Sequence, residues 1–216
     1  MKRLILLLLA AGNAVLSFGQ KTFILSLQDK RGFVAAGAGV SVPIGASATG
    51  DQNVRYQPGW LTSLSAGYRL LGPVGLMTRA SYGENGWQPA ATNGSPAGYE
   101  SVGMVLAGPY VSLPMRRFSL DVRLLAGRAT VTHQPLKQTA THANPTVYGG
   151  GLGLRYRLSP IFSAYLAGDY TRLPANDNRP AGNPARSGVG DSANGLSMAT
   201  VSVGLAFLFG NTYRPF

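Results

Sequence analysis

Large apolar residues alternate with small or polar ones along much of the chain, with the two-residue period of a β-strand. In the closing stretch "MATVSVGLAFLFG", for example, Val201, Val203 and Leu205 alternate with Ser202 and Gly204. Each alternating run has the roughly 9 to 11 residues that a tilted strand needs to cross a bilayer. The pattern predicts eight strands, at approximately Phe33–Ile44, Gly59–Leu70, Val74–Gly83, Tyr99–Val111, Phe118–Val131, Thr146–Leu158, Ile161–Leu173 and Gly195–Phe209.

The connections between these runs are alternately long and short. Those after the first, third, fifth and seventh runs are long and rich in Gly, Asn, Pro, Ser and Thr. The others are predicted as tight turns at Leu71–Pro73, Ser112–Arg117 and Ser159–Pro160. This layout predicts an all-β protein, an eight-stranded antiparallel up-and-down transmembrane β-barrel.

The two faces of the predicted strands differ in composition. One face is apolar in every run, and in the fourth run we assign Met104, Leu106 and Tyr110 to it. The other face consists largely of Gly, Ala and Ser, which would fit the narrow interior of a small barrel but would solubilise a wetted surface poorly. The apolar face is therefore predicted to contact lipid, and a soluble β-sandwich or barrel is kept as the alternative.

Aromatic residues on the apolar face concentrate near the strand ends. Rings at both ends of an apolar band are typical of the two interfaces of a membrane-spanning barrel. We therefore predict two aromatic girdles, made of Trp60, Tyr68, Tyr82, Tyr110, Phe118, Tyr148, Tyr156, Phe162, Tyr170 and Phe209.

The beginning of the chain is typical of a secretory signal. Lys2 and Arg3 precede a short apolar core, and Ser17 and Gly19 are small residues before a cleavage site at Gln20. We predict a cleaved signal peptide at 1–19, a periplasmic N-terminal lead at 20–32 and an outer-membrane barrel at 33–216. A signal peptide followed by a barrel layout predicts a location in an outer membrane.

Composition and charge narrow the function classes. The chain carries 19 Lys and Arg against 8 Asp and Glu, and it contains no Cys, which excludes disulfides and thiolate metal sites. Export disfavours a nucleic-acid partner despite the formal charge of +11. Basic residues at the predicted periplasmic rim are expected to contact lipid headgroups, namely Lys21, Lys30, Arg31, Arg116, Arg117 and Arg214.

The stretches "GFVAAGAGVSVPIG", "YGGGLGLRYRLSPIFSAYLAGDYTRL" and "VSVGLAFLFG" resemble the small outer-membrane β-barrel proteins of the OmpA- and OmpX-like type that lack a periplasmic domain. The resemblance covers essentially the whole chain after the signal and is one of pattern. It implies a location in the outer membrane of a diderm bacterium, with extracellular long loops and both termini in the periplasm. It also implies assembly by the general barrel-insertion machinery, for which a terminal aromatic residue often serves as the signal. Both Phe209 and Phe216 are candidates, and Phe209 is favoured because Pro215 cannot donate to a strand ladder.

Charged residues on the inward face are the main candidates for chemistry. Arginines outnumber carboxylates there, and Tyr165 lies nearby. We predict a hydrogen-bonded ionic plug, because eight-stranded barrels are wide enough only for side chains. The alternative is a narrow pathway that favours anions. The predicted lumen ionic cluster consists of Arg69, Arg79, Asp121, Arg123, Arg155, Arg157 and Asp169.

Enzymatic interpretations have less support. His133 and His142 are expected in a long polar loop, with no metal-site spacing, and no metal or other cofactor is predicted. No convincing triad can be built from serines such as Ser112 or Ser119. We therefore predict a non-enzymatic outer-membrane protein with a structural, surface-contact or complex-accessory role. The expected partners are outer-membrane lipids and another outer-membrane protein, and the alternatives are a narrow pore or transporter and, less favoured, a lipid-modifying enzyme.

Overall fold

The computed structural model describes residues 30–44, 54–89, 98–135, 141–174 and 196–210, which form a closed β-barrel. Eight long strands build its wall, and two short strands extend the wall at one end. The predicted signal peptide, Lys21, Arg214 and Phe216 lie outside the described residues. In chain order the strands are Gly32–Ile44 (β1), Val54–Tyr56 (β2), Gly59–Leu71 (β3), Val74–Pro89 (β4), Gly98–Met115 (β5), Phe118–Pro135 (β6), Thr141–Ala143 (β7), Thr146–Arg157 (β8), Phe162–Leu173 (β9) and Leu196–Phe209 (β10).

All neighbouring strands are antiparallel, and pairing of β1 with β10 closes the barrel. The long strands follow the chain in an up-and-down order, while β2 adds to β4 and β7 adds to β6. The predicted fold class is thereby confirmed. Strands β4, β5 and β6 extend beyond their predicted ends, because polar residues such as Glu84 and Gln134 still pair in the ladder.

Tight turns join the strands at one end of the barrel, which we call the short-turn end; the opposite end is the long-connection end. Gly72 (φ 56°) and Arg116 (φ 48°) occupy left-handed conformations in two of these turns. The six-residue turn predicted at Ser112–Arg117 was wrong. Strand β5 continues to Met115, which pairs with Phe118 across a two-residue turn at Arg116 and Arg117.

The outward face of the barrel is an apolar band. Its side chains include Leu76, Val105, Leu124 and Val203, each more than half exposed. Among the described residues, no helix is long and apolar enough to cross a membrane. The exposed apolar band, and the hydrogen bonding of each long strand to a neighbour on both sides, fit a barrel that is surrounded by membrane lipid.

The face of β5 was predicted wrongly. Met104, Leu106 and Tyr110 point into the barrel and are almost fully buried, so Tyr110 belongs to neither girdle. The physical reason is the register of the β5–β6 hairpin, in which Ser112 lies directly opposite Asp121. Residues directly opposite each other share a face, so an inward Asp121 sets every even-numbered residue of this part of β5 inward.

The other predicted girdle residues face outward. Four of their rings make close contacts near the short-turn end, where Tyr68 stacks on Phe209 and Phe118 lies 4.9 Å from Tyr156 between ring centroids. Tyr156 is half-buried by this contact. The remaining outward girdle residues are exposed, namely Trp60, Tyr82, Tyr148, Phe162 and Tyr170.

The backbone of the two histidines does not lie in a loop. His133 belongs to β6 and His142 to β7, and these strands pair beyond the apolar band at the long-connection end. The expectation of a loop missed this short hairpin extension, because its residues are polar and carry no apolar alternation.

The filled barrel interior as the candidate functional site

Glycines on β8 make room for the polar interior. A side chain at Gly151 would overlap the carboxylate of Asp169, and one at Gly153 would lie 3.0 Å from the guanidinium of Arg123 and 3.1 Å from the Tyr165 ring. Strand β8 can therefore approach the charged side chains of β6 and β9 closely only because these positions lack a Cβ atom.

The charged layer nearest the short-turn end is built on Asp121 and Arg155. Both carboxylate oxygens of the fully buried Asp121 accept hydrogen bonds from Arg155, from Nε and Nη2, at 2.8 Å each. Arg155 also donates to Ser112 Oγ at 2.9 Å, and its guanidinium lies 4.2 Å from the centroid of the Phe33 ring. The bidentate ion pair, the hydrogen bond to Ser112 and the cation–π contact with Phe33 thus connect β8 to β6, β5 and β1.

A second charged layer lies at mid-depth, centred on Asp169. Arg123 donates to Asp169 Oδ1 from Nε at 2.7 Å and to the Tyr165 hydroxyl at 2.7 Å. Arg79 approaches the other carboxylate oxygen at 3.2 Å and makes longer hydrogen bonds to Ser65 and Ser202. Two arginines thus share one carboxylate, which makes Asp169 the only described acidic partner of both.

An apolar layer covers the Asp169 layer on the side of the long-connection end. A cavity of about 10 Å³ lies where this layer meets the Asp169 layer, and it has about the space that one water needs. Apolar and polar side chains line it together, namely Leu61, Met104, Leu106, Leu125, Arg79, Asp169, Thr171 and Thr200. Thr171 Oγ1 borders this cavity and has no hydrogen-bond partner among the described residues, so a single water there would satisfy it. The described interior at this depth is packed rather than open.

A polar cluster lies beyond the apolar layer, outside the girdle level. Asn85 accepts a hydrogen bond from Ser41 Oγ at 2.8 Å and donates to the carbonyls of Ser41 and Gln57, which joins β4 to β1 and to the end of β2. Burial raises the pKa of the neighbouring Glu100 carboxyl to about 8, although a hydrogen bond from the Tyr56 hydroxyl partly opposes this. Burial and the charge of Glu100 also raise the pKa of Tyr56.

The structure separates the predicted ionic cluster into parts. It pairs Asp121 with Arg155, and it joins Arg79 and Arg123 through Asp169. Arg69 is buried and donates to the Lys30 carbonyl at 2.9 Å, whereas Arg157 lies half-buried at the short-turn end. These last two residues therefore belong to the rim of the interior, not to the two charged layers.

Catalytic chemistry finds no support in this arrangement. Ser112 accepts its hydrogen bond from Arg155 deep inside the barrel, and Ser119 lies on the same short-turn half. Ser119 and His133 are fourteen residues apart on one strand, about 46 Å along it, so they cannot form one triad. Among the described residues, no group of three metal-ligating side chains lies together.

Sequence reasoning missed the apolar layer and the Glu100 cluster. Met104, Leu106 and Glu100 lie on β5, whose alternation is poor because both of its faces are apolar between Val102 and Val111. Leu61, Leu125 and Asn85 lie on other strands, and only the closed barrel brings them near these residues of β5. A two-residue turn at Arg116–Arg117 was the available signal, because it sets the register that places Met104, Leu106, Tyr110 and Glu100 inside.

Comparison with solved structures finds small bacterial barrels of the same architecture. The crystal structure of Neisserial surface protein A matches with a TM-score of 0.56 and 12% sequence identity, over 82% of this chain and 97% of that chain. The outer membrane protein OprG from Pseudomonas aeruginosa matches with a TM-score of 0.56 and 9% identity, over 86% of this chain and 100% of that chain. This is the fold of the small outer-membrane β-barrels. The resemblance drawn from the sequence is confirmed at the level of the fold.

No family model matches the chain, and a search of curated proteins finds no match either. Proteins with this fold differ in function, so the fold alone assigns none.

Proposed function

We propose that this protein is a non-enzymatic, non-conducting outer-membrane barrel that presents its long connections at the cell surface. The filled interior is the observation that carries the proposal. Two charged layers and an apolar layer occupy the described interior. The cavity at the level of Leu106 measures only about 10 Å³, and another beside Arg155 and Arg157 is equally small. A rigid, filled cylinder is suited to hold surface loops in place, as a scaffold for contact with another molecule.

The proposed orientation places the long connections outside and both chain ends in the periplasm. Both ends of the described barrel, Lys30 and Gly210, lie at the short-turn end, where Arg31 donates to the Gly210 carbonyl. The exposed Arg116 and Arg117 lie at the same end and would meet phospholipid headgroups of the inner leaflet. Neisserial surface protein A, which shares the fold, is by name a surface protein, and this agrees with such a role.

Site-specific labelling tests this orientation directly, because the chain contains no Cys. Ser187→Cys lies in the connection between β9 and β10, and Arg117→Cys lies in a tight turn at the opposite end. A membrane-impermeant maleimide is expected to label Ser187→Cys in intact cells and to label Arg117→Cys only after the outer membrane is opened. The reverse pattern would contradict the proposed orientation and with it the surface role.

A narrow pore remains the second candidate, and one observation favours it. The interior carries five arginines against two aspartates in the predicted cluster, a composition that would attract anions. The pairing of Arg79 and Arg123 with Asp169, and of Arg155 with Asp121, favours the plug instead, because these guanidinium groups already have acceptors. An accessory role beside another outer-membrane protein is compatible with the surface proposal.

A further inference from the structure

Two arginines face outward near the long-connection end of the barrel wall. Arg128 on β6 lies opposite Thr146 of β8, and Arg172 on β9 lies opposite Tyr148 of the same strand. All four side chains are exposed, and we call them the arginine patch. Strand spacing and rise place the Cα atoms of the two arginines about 12 Å apart. Their long side chains can therefore reach two acceptors of one ligand.

In the part of the chain that the structure describes, no carboxylate lies close enough to neutralise the two arginines of the patch. Three of the four described carboxyl groups, those of Glu100, Asp121 and Asp169, lie inside the barrel. Glu84 of β4 faces outward, but it accepts hydrogen bonds from the hydroxyls of Tyr82 and Ser101. Strand β5 separates it from Arg128 on β6. Glu84 lies about 16 Å from Arg128 along the ladder, so it is too far for an ion pair.

The depth of the arginine patch matches a lipid headgroup. Tyr148 lies between the two arginines, and Tyr170, two residues before Arg172, donates to Ser197 Oγ at 3.2 Å. These tyrosines belong to the aromatic girdle of the long-connection end, which marks the interface between the apolar band and water. Guanidinium groups at that level meet the phosphates of membrane lipids, which they bind with paired hydrogen bonds.

A groove on the outward face begins beside Arg128. It has a volume of about 780 Å³, and Leu64, Tyr82, Gly103 and Val105 contribute to its lining. Gly103 leaves the floor open, since a Cβ atom there would have its nearest neighbours 3.9 and 4.0 Å away. The lining of the groove is mainly apolar, although Thr62, Thr130 and Asn144 also border it. Its apolar part beside Val105 fits an acyl chain whose headgroup lies at the arginine.

We infer that the arginine patch and this groove bind one bisphosphorylated glycolipid of the lipid A type. Its two phosphates pair with Arg128 and Arg172, and one acyl chain occupies the groove beside Val105. A phospholipid with one phosphate brings one negative charge to the two guanidinium groups, whereas a bisphosphorylated glycolipid brings a separate phosphate to each. The two separated cations therefore favour the glycolipid as the occupant. The inference rests on the proposed function, because it requires the long-connection end to face the outer leaflet.

The test compares three lipids on the refolded full chain in detergent micelles, by native mass spectrometry. The probes are bisphosphorylated lipid A, monophosphorylated lipid A and phosphatidylglycerol. Bisphosphorylated lipid A is expected to bind at least about tenfold more tightly than phosphatidylglycerol, and Arg128→Gln or Arg172→Gln is expected to weaken it about tenfold. Arg117→Gln, an exposed arginine at the other end, is the matched control and is expected to bind as the unchanged chain does.

A second variant tests the groove separately from the charges. Gly103→Val adds side-chain atoms at the groove floor, where a Cβ atom has ordinary contact distances, and leaves both arginines in place. It is therefore expected to weaken lipid A binding several-fold. Heat-dependent gel mobility shows that each variant is folded. Equal binding of the three lipids, or unchanged binding in the double variant of Arg128 and Arg172, would overturn the inference. Because binding in micelles is independent of orientation, a positive result together with reversed maleimide labelling would leave the binding site standing. It would overturn the surface role, and with it lipid A as the occupant in the membrane.

Discussion

The most informative perturbation of the interior is Asp169→Asn, which keeps the shape of the side chain and removes its charge. Asp169 accepts from Arg123 at 2.6 and 2.7 Å and pairs with Arg79 at 3.2 Å. Without the carboxylate, two arginine charges would face each other in the barrel interior. The side chain of Arg123 is fully buried and that of Arg79 nearly so. The cavity beside Arg79 has room for only about one water, hence bulk water could not replace the lost partner.

The expected loss follows from these contacts. Breaking a buried ion pair by removing one partner costs about 3 to 5 kcal/mol. Arg123 keeps its hydrogen bonds to the Tyr165 hydroxyl and the Leu152 carbonyl, which limits the loss to this range. The double variant Asp169→Asn, Arg79→Gln removes the repulsion, so it should recover at least about 1 kcal/mol.

Urea-induced unfolding from lipid vesicles measures these free energies, with the fluorescence of the two tryptophans, Trp60 and Trp87, as the signal. Arg117→Gln is the matched surface control and should change the unfolding free energy by less than about 0.5 kcal/mol. The reasoning would be refuted if Asp169→Asn destabilised the barrel no more than this control. It would also fail if the double variant were less stable than Asp169→Asn alone.

Three further outcomes follow from the interior. Gly151→Ala should lower the unfolding free energy by at least about 1 kcal/mol, because the new methyl group overlaps the Asp169 carboxylate; equal unfolding curves would contradict this. Tyr110→Ala should destabilise by about 3 to 5 kcal/mol, the cost of a large buried ring, whereas an outward girdle residue such as Tyr148→Ala should cost less. The folded pKa of Glu100, about 8, lies above its ordinary 4.5, so the protonated carboxyl contributes stability that is present below pH 4.5 and is lost as the pH rises through about 8. After correction for the intrinsic pH dependence of amide exchange, hydrogen exchange of β2 and of the Glu100 end of β5 should therefore be faster at pH 9 than at pH 6. Glu100→Gln should remove this remaining difference.

Much of the architecture could be predicted from the sequence, since alternation reports strands wherever one face is apolar and the other small. Strand β10 is the clearest case, because Val203 and Leu205 face outward while Ser202 and Ala206 face inward. Strand β5 could not be read this way because both of its faces are apolar. Its face is set by the turn at Arg116–Arg117, and hence by register.

The content of the candidate site was only partly predictable. Parity along each strand indicates that Arg79, Arg123 and Asp169 point inward, but their pairing depends on how the strands tilt and shear around the closed barrel. The burial of Glu100 depends on β2, a three-residue strand whose alternation is too short to detect. Long-range geometry of this kind has no local signature in the sequence.

The ion conductance of the purified barrel in planar bilayers tests the central claim most directly. The account predicts no discrete conductance steps above those of the bare bilayer, because the charged and apolar layers fill the interior between Arg155 and Leu106. Reproducible steps that favour anions and disappear in Arg123→Gln would contradict it and would establish the pore.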